Sequence, residues 1–150
     1  MNTTLLKLLS TDAGFAGLLL RLPTGIVLAA HGAQKLFAWF AGYGLEGTGQ
    51  YMSSLGLEPG FLMALLAGSA EFFGGLALIL GVLTRPAALV TAFTMLMAIL
   101  TAHSQYGLFI SNGGYEYALV LLAVTVSLIL SGAGRLSVDR VIVHQLTRQA

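Results

Sequence analysis

Six ionisable side chains lie within or at the ends of apolar stretches of this 150-residue chain, and they are its candidates for chemistry. They are Arg21, His31, Lys35, Glu71, His103 and Glu116. An ionisable group in hydrocarbon costs about 2.5–3.5 kcal/mol on insertion scales, so such groups usually face a bundle interior and mark function. Histidine and carboxylate side chains exchange protons with a bound molecule, and lysine or arginine balances the resulting charge.

Three of the six share one side of the first apolar stretch. At about 100° per residue, Lys35 lies about 40° from Arg21, and His31 lies about 40° beyond Lys35. A stripe of small residues runs along the adjacent face: Gly25, Ala29 and Ala33. Because small residues let helix backbones approach closely in lipid, we expect a polar side and a packing side on this helix.

Depth in the membrane groups the candidates further. Glu71 lies about ten residues into the second helix, near the middle of the bilayer, and is flanked by Gly68, Gly74 and Gly75. His103 ends the third helix and Glu116 begins the fourth on the outer side. We expect these three side chains to converge with His31 and Lys35 in the outer half of the bundle, with Arg21 nearer the cytoplasm.

Each candidate also has a structural interpretation. In this interpretation Glu71 would form a purely structural ion pair with Lys35, His31 or Arg21. Lys35 would extend to the membrane interface, and Arg21 would anchor to lipid head groups. His103 would be solvated at a helix end, and Glu116 would be favoured in a first turn by the helix dipole.

The composition predicts the elements that position these residues. Apolar residues make up 57% and charged residues 9% of the chain, against about 45–50% and 25% in soluble domains. Spans of about 20 apolar residues are expected for membrane helices. The sequence predicts an all-α, four-helix transmembrane bundle forming a single domain over residues 1–150. The predicted helices are 14–40, 61–83, 86–105 and 115–132.

The distribution of basic residues predicts the orientation. One side of this arrangement carries Lys7, Arg85, Arg135, Arg140 and Arg148, and the other carries Glu46 and Glu58. Both termini are therefore expected in the cytoplasm, with a cytoplasmic tail at 135–150 that forms a short helix on the membrane surface after Ser137. An alternative interpretation, a cleaved signal peptide at 1–33, is disfavoured by Asp12 and the apolar run before Arg21.

The remaining motifs exclude several functions. Residues 42–47 match the dinucleotide fingerprint, but they follow a membrane helix and not a strand, so the match is rejected. Residues 41–60 are expected to form a surface loop, and the alternative is a lid over the bundle. The chain has no cysteine and no basic block, which excludes thiolate sites and nucleic-acid binding. No flavin, haem or nicotinamide motif is evident, and no metal-ligand spacing favours a metal site.

An ordered set of motifs resembles the DoxX family of small membrane proteins. The motifs are Arg21-Leu22-Pro23-Thr24-Gly25, His31-Gly32-Ala33-Gln34-Lys35-Leu36, Glu71-Phe72-Phe73-Gly74-Gly75, Leu80-Gly81-Val82-Leu83-Thr84-Arg85, His103, Gly114-Tyr115-Glu116-Tyr117-Ala118-Leu119 and Gly132-Ala133-Gly134-Arg135-Leu136-Ser137-Val138-Asp139. The resemblance implies a four-helix protein of the bacterial inner (plasma) membrane, in a family whose members are often described as oxidoreductases. It also implies that the six residues above are the family's polar positions.

The leading hypothesis is a redox-associated membrane protein that binds quinone or a similar small apolar ligand. His31 or His103 would hydrogen-bond a quinone oxygen, and Glu71 or Glu116 would carry the proton. Because no redox cofactor motif is present, electrons would come from a soluble or membrane partner protein. The alternatives are a non-enzymatic assembly or anchoring subunit, and a small-molecule transporter, which would need to form a homo-oligomer.

Overall fold

Helices form the regular structure of residues 3–148, the part of the chain that the computed structural model describes, and no strand occurs among those residues. The all-α prediction is therefore confirmed. The helices are α1 (Thr3–Leu9), α2 (Gly14–Phe37), α3 (Gly44–Ser54), α4 (Gly60–Leu80), α5 (Thr84–Ala98), α6 (Glu116–Ser131) and α7 (Val138–Arg148).

Three helical segments of the described chain are long and apolar enough to cross a membrane. They are Gly14–Phe37, Gly60–Leu80 and Thr84–Tyr106. The helix α6 is also apolar but has only 16 residues. At 1.5 Å per residue it spans about 24 Å, which is shorter than the hydrocarbon core of about 30 Å.

The predicted helix ends agree with the structure to within a few residues, and local backbone geometry explains the differences. The helix α2 ends at Phe37 because Ala38 adopts a left-handed conformation with φ 58°. Gly81 adopts the same conformation with φ 66° and ends α4 at Leu80. After Ala98, the helix α5 continues as a π-helical segment, Ile99–His103.

Two helices lie where the sequence predicted none. Residues 41–60 are not a plain surface loop, since they contain α3, and α1 precedes the first predicted span. In α3, Thr48 and Gly49 are buried, and a side-chain carbon on Gly49 would lie 3.1 Å from the Cα of Phe61. Packing against the start of α4 therefore outweighs the low helix propensity of this glycine-rich segment.

Glycines allow α2 and α4 to pack backbone against backbone. A side-chain carbon on Gly25 would lie 2.6 Å from the carbonyl oxygen of Gly75, and one on Gly32 would lie 2.7 Å from that of Gly68. Because no side chain separates these helices along this line, their remaining side chains are fixed in register. Gly74, which also flanks Glu71 in the sequence, faces Thr91 of α5 and not α2.

The tail helix α7 is held to the bundle by one buried carboxylate. Asp139 is 1% exposed and accepts hydrogen bonds from the backbone N–H groups of Leu83 and Thr84, at 2.7 and 2.9 Å. This carboxylate satisfies the otherwise unpaired first amides of α5. The predicted helix after Ser137 is confirmed, and its position on the cytoplasmic membrane surface stays a prediction.

Candidate functional site

One ion pair of the described chain joins α2 to α4. The Nζ atom of Lys35 lies 2.5 Å from Oε2 of Glu71, with side-chain exposures of 24% and 4%. It is the only ion pair within 4.0 Å among residues 3–148. Of the partners predicted for Glu71, Lys35 is the one that the structure brings to it. A buried pair at this depth holds a charge that the bilayer would otherwise penalise heavily.

The close contact of α2 and α4 creates this pair. A side-chain carbon on Gly68 would lie 2.8 Å from Cδ2 of Leu36 and 3.2 Å from Cβ of Lys35, so both residues of α2 pack closely over this glycine. Glu71 follows Gly68 by three residues and is therefore on the same face of α4. The absence of a side chain at Gly68 gives the lysine a direct route to the carboxylate.

His31 lies on the outside of the bundle and not within it. Its side chain is exposed, and its ring centroid lies 6.0 Å from that of Tyr117 on α6, with the two rings tilted by 53°. His31 precedes Lys35 by four residues and therefore lies one helical turn away on the same side of α2. This surface places an exposed imidazole and an exposed phenol next to each other, one turn from the ion pair.

His103 and Glu116 bind the backbone of the connection between α5 and α6. Nδ1 of His103 lies 2.7 Å from the carbonyl oxygen of Gly113, a hydrogen bond in which the ring nitrogen donates. Oε1 of Glu116 accepts a hydrogen bond from the backbone N–H of Ile110 at 2.8 Å. Both side chains are therefore engaged with the connection itself, and neither hydrogen-bonds Lys35, Glu71 or His31.

Arg21 lies away from Glu71 and is fully engaged with backbone carbonyls. Its side chain is 1% exposed. Nε donates to the carbonyl of Ala133 at 3.0 Å, and the terminal nitrogens donate to the carbonyls of Leu78, Ile79 and Leu136. These carbonyls belong to the end of α4 and to the segment after α6. The guanidinium therefore joins three parts of the chain at the end opposite to Lys35.

The described residues contain no group of three or more His, Asp or Glu side chains close enough to hold a metal ion. The site is instead a lysine–glutamate pair with an imidazole and a phenol beside it. Such a set can donate and accept hydrogen bonds and transfer protons.

Comparison with known proteins identifies the family of this chain. The DoxX family model matches residues 16–104. The chain belongs to the DoxX family. The matched range begins in α2 and ends just after the π-helical segment, so it contains Arg21, His31, Lys35, Glu71 and His103.

Three curated relatives are similar to this DoxX protein. "Putative oxidoreductase CatD" of Bacillus subtilis is 35% identical over 122 residues, which is 81% of this chain and 83% of that protein. Inner membrane protein YqjF of Escherichia coli is 41% identical over 106 residues, 66% of this chain and 75% of that protein. Inner membrane protein YphA of Escherichia coli is 32% identical over 108 residues, 65% of this chain and 73% of that protein. No solved structure gives a significant match.

Family and helices together establish the location. This DoxX protein is a multi-pass protein of the bacterial inner membrane, because it combines several long apolar helices with inner-membrane relatives. The predicted localisation is thereby confirmed, as is contact with the lipid bilayer.

Two residues of the DoxX protein gain importance only in three dimensions. Tyr117 stands beside Glu116 in the sequence but contacts His31, and Asp139 in the tail caps α5. Nothing in the sequence distinguished Tyr117 as a site residue, because being next to Glu116 does not indicate a contact with His31. The aspartate had a weak signal, since a carboxylate at the second position of a helix is often bound to backbone amides.

Proposed function

We propose that this DoxX protein binds quinone, or a similar small apolar ligand, at the lipid-facing surface formed by His31 and Tyr117. The observation that carries the proposal is the exposed His31 ring beside Tyr117, one turn from the buried Lys35–Glu71 pair. A polar ring pair exposed to lipid is costly unless a polar ligand group covers it. A quinone head group is apolar enough to enter from the bilayer and carries two carbonyl acceptors.

The chemistry assigned to these residues is proton handling. Reducing a quinone to a quinol consumes two electrons and two protons. His31 donates a hydrogen bond to one quinone oxygen, and the Lys35–Glu71 pair takes up protons and passes them on to the reduced quinone. The electrons come from a partner redox protein, because the chain carries no cysteine and no redox cofactor motif. The name of the CatD relative as an oxidoreductase supports this assignment.

Quinone titration into nanodiscs tests the proposal. We expect saturable binding of a short-chain ubiquinone or menaquinone to the wild-type protein. His31→Ala and Tyr117→Phe should weaken binding, the first by about tenfold, since one lost hydrogen bond is about 1.4 kcal/mol. His144→Ala is the matched control, because this histidine is exposed on α7. Equal, non-saturable signals from wild type and His31→Ala would refute quinone binding.

A second candidate is favoured by the contacts of Arg21, His103 and Glu116, each of which ties chain segments together. These contacts support an assembly or anchoring subunit whose polar groups only maintain the fold. This candidate predicts that His31→Ala and Glu71→Gln lower stability and abundance, while the remaining protein complements a deletion strain fully. Loss of complementation at unchanged abundance favours the redox role instead.

We further propose that α6 crosses the membrane as the fourth span, with both termini in the cytoplasm. The basic residues Arg85, Arg135, Arg140 and Arg148 lie at one end of the spans, which supports this orientation. Because the chain has no cysteine, single cysteines report topology without a background.

Cysteine labelling tests this topology at two exposed glutamines, Gln105 after α5 and Gln145 on α7. A membrane-impermeant maleimide should label Gln105→Cys in intact spheroplasts. It should label Gln145→Cys only after the spheroplasts are lysed. Labelling of both positions in intact spheroplasts would place the tail outside and contradict an even number of crossings.

A further inference from the structure

A cavity of about 420 Å³ opens at the end of the bundle that is remote from the Lys35–Glu71 pair. The start of α2 at Gly14 lines it, and Lys35 lies about 30 Å further along that helix at 1.5 Å per residue. The other walls come from the segment after α6 and from α7, through residues that include Gly134, Arg135 and Arg140. The cavity is therefore separate from the surface at His31.

The charge of the cavity is positive. Arg135 and Arg140 line it and are both exposed, and Asp12 is its acidic lining residue. None of these three side chains forms an ion pair within the described part of the chain. Arg85 adds a further positive charge, because its guanidinium bonds only to the carbonyls of Ser10 and Ile129. Ser10 also lines the cavity, so this uncompensated charge lies at its wall.

The protein holds Arg135 in place before any ligand binds. Its guanidinium carbon lies 5.0 Å from the centroid of the Phe15 ring, in the first turn of α2. Its backbone N–H donates to the carbonyl of Gly14 at 2.6 Å, and the N–H of Gly134 donates to Oγ1 of Thr11 at 2.6 Å. Preorganisation reduces the entropy that an arginine loses when it binds an anion.

We propose that this cavity binds a phosphate group, carried either by the head group of an acidic phospholipid or by free phosphate. Arginine presents N–H groups in a planar fork that matches phosphate oxygens, and basic pockets at membrane helix ends suit lipid head groups. The start of the 24-residue helix α2 has no side-chain cap and adds a partial positive charge. Exposed leucines within five residues of lining residues in the sequence offer contacts for acyl chains: Leu19, Leu130 and Leu136.

Binding measurements in nanodiscs test the site and identify its source of phosphate. The wild-type protein is placed in phosphatidylcholine nanodiscs and titrated either with phosphatidylglycerol vesicles or with inorganic phosphate, and ligand retention is read by native mass spectrometry and thermal shift. The test variant is Arg135→Gln with Arg140→Gln. The control is Lys7→Gln with Arg148→Gln, which removes two exposed charges at the same end without touching the cavity lining.

We expect saturable retention of one phosphate-bearing molecule by the wild-type protein and at least a tenfold loss of affinity in the test variant. The control should bind within about twofold of wild type, and Arg135→Lys with Arg140→Lys should recover part of the binding. A response to phosphatidylglycerol alone identifies a lipid site, and a response to inorganic phosphate identifies a site for the soluble anion. No saturable response in either arm, or an equal loss in the control variant, would overturn the proposal.

Discussion

Replacing Arg21 with methionine is expected to remove at least about 3 kcal/mol from the free energy of unfolding. The side chain is 1% exposed, and its guanidinium supplies hydrogen bonds to four backbone carbonyls. Methionine is similar in length but donates nothing, so those carbonyls lose their charged donor in a buried place. Each buried acceptor left unsatisfied costs about 1–3 kcal/mol. Unfolding in mixed micelles, followed by helical circular dichroism, measures the loss.

Two variants show whether the geometry of Arg21 or its charge is responsible. Arg21→Lys keeps the charge, but one ammonium cannot reach all four carbonyls on two chain segments, so an intermediate loss is expected. Arg148→Met removes an exposed arginine at the end of α7 and should change the unfolding free energy by less than about 0.5 kcal/mol. If Arg21→Lys is as stable as wild type, charge alone explains the position and the multi-carbonyl geometry is unimportant.

Breaking the Lys35–Glu71 pair from one side should cost more than removing both charges. Lys35→Met leaves the carboxylate of Glu71, whose side chain is 4% exposed, without a partner. An uncompensated buried charge of this kind costs about 3–5 kcal/mol. Glu71→Gln should cost less, because the lysine, at 24% exposure, can extend towards the membrane surface. The double variant Lys35→Met with Glu71→Gln should recover most of the stability lost in Lys35→Met.

A double-mutant cycle measures this coupling directly. We expect an interaction free energy of about 2 kcal/mol from the four proteins of the cycle. The matched cycle uses Lys7→Met and Glu46→Gln, two exposed residues that form no ion pair in the described chain, and should give a value near zero. Additive effects at Lys35 and Glu71 would mean that the contact contributes no net coupling, and the proton transfer assigned to this pair would lose its support.

The sequence was most informative about the lengths of the apolar helices and about which ionisable residues lie within them. Apolar runs predicted the long helices to within a few residues, because membrane helices must satisfy every backbone group internally. The cost of an ionisable side chain in hydrocarbon selected Lys35 and Glu71, and the structure pairs them. The sequence did not predict α3, because its glycine-rich segment has low helix propensity and the helix is stabilised by packing against α4.

The sequence did not predict which neighbouring groups each side chain of α2 contacts. Helical angles placed Arg21, His31 and Lys35 within one arc, yet the first is enclosed by carbonyls, the second is exposed and the third is paired. These outcomes depend on which neighbour approaches each turn of α2, and the glycine contacts with α4 set that approach. The sequence alone therefore determined a membrane protein and its ionisable residues, whereas tertiary packing decided which of those residues pair, because contacts between helices are not encoded by periodicity within one helix.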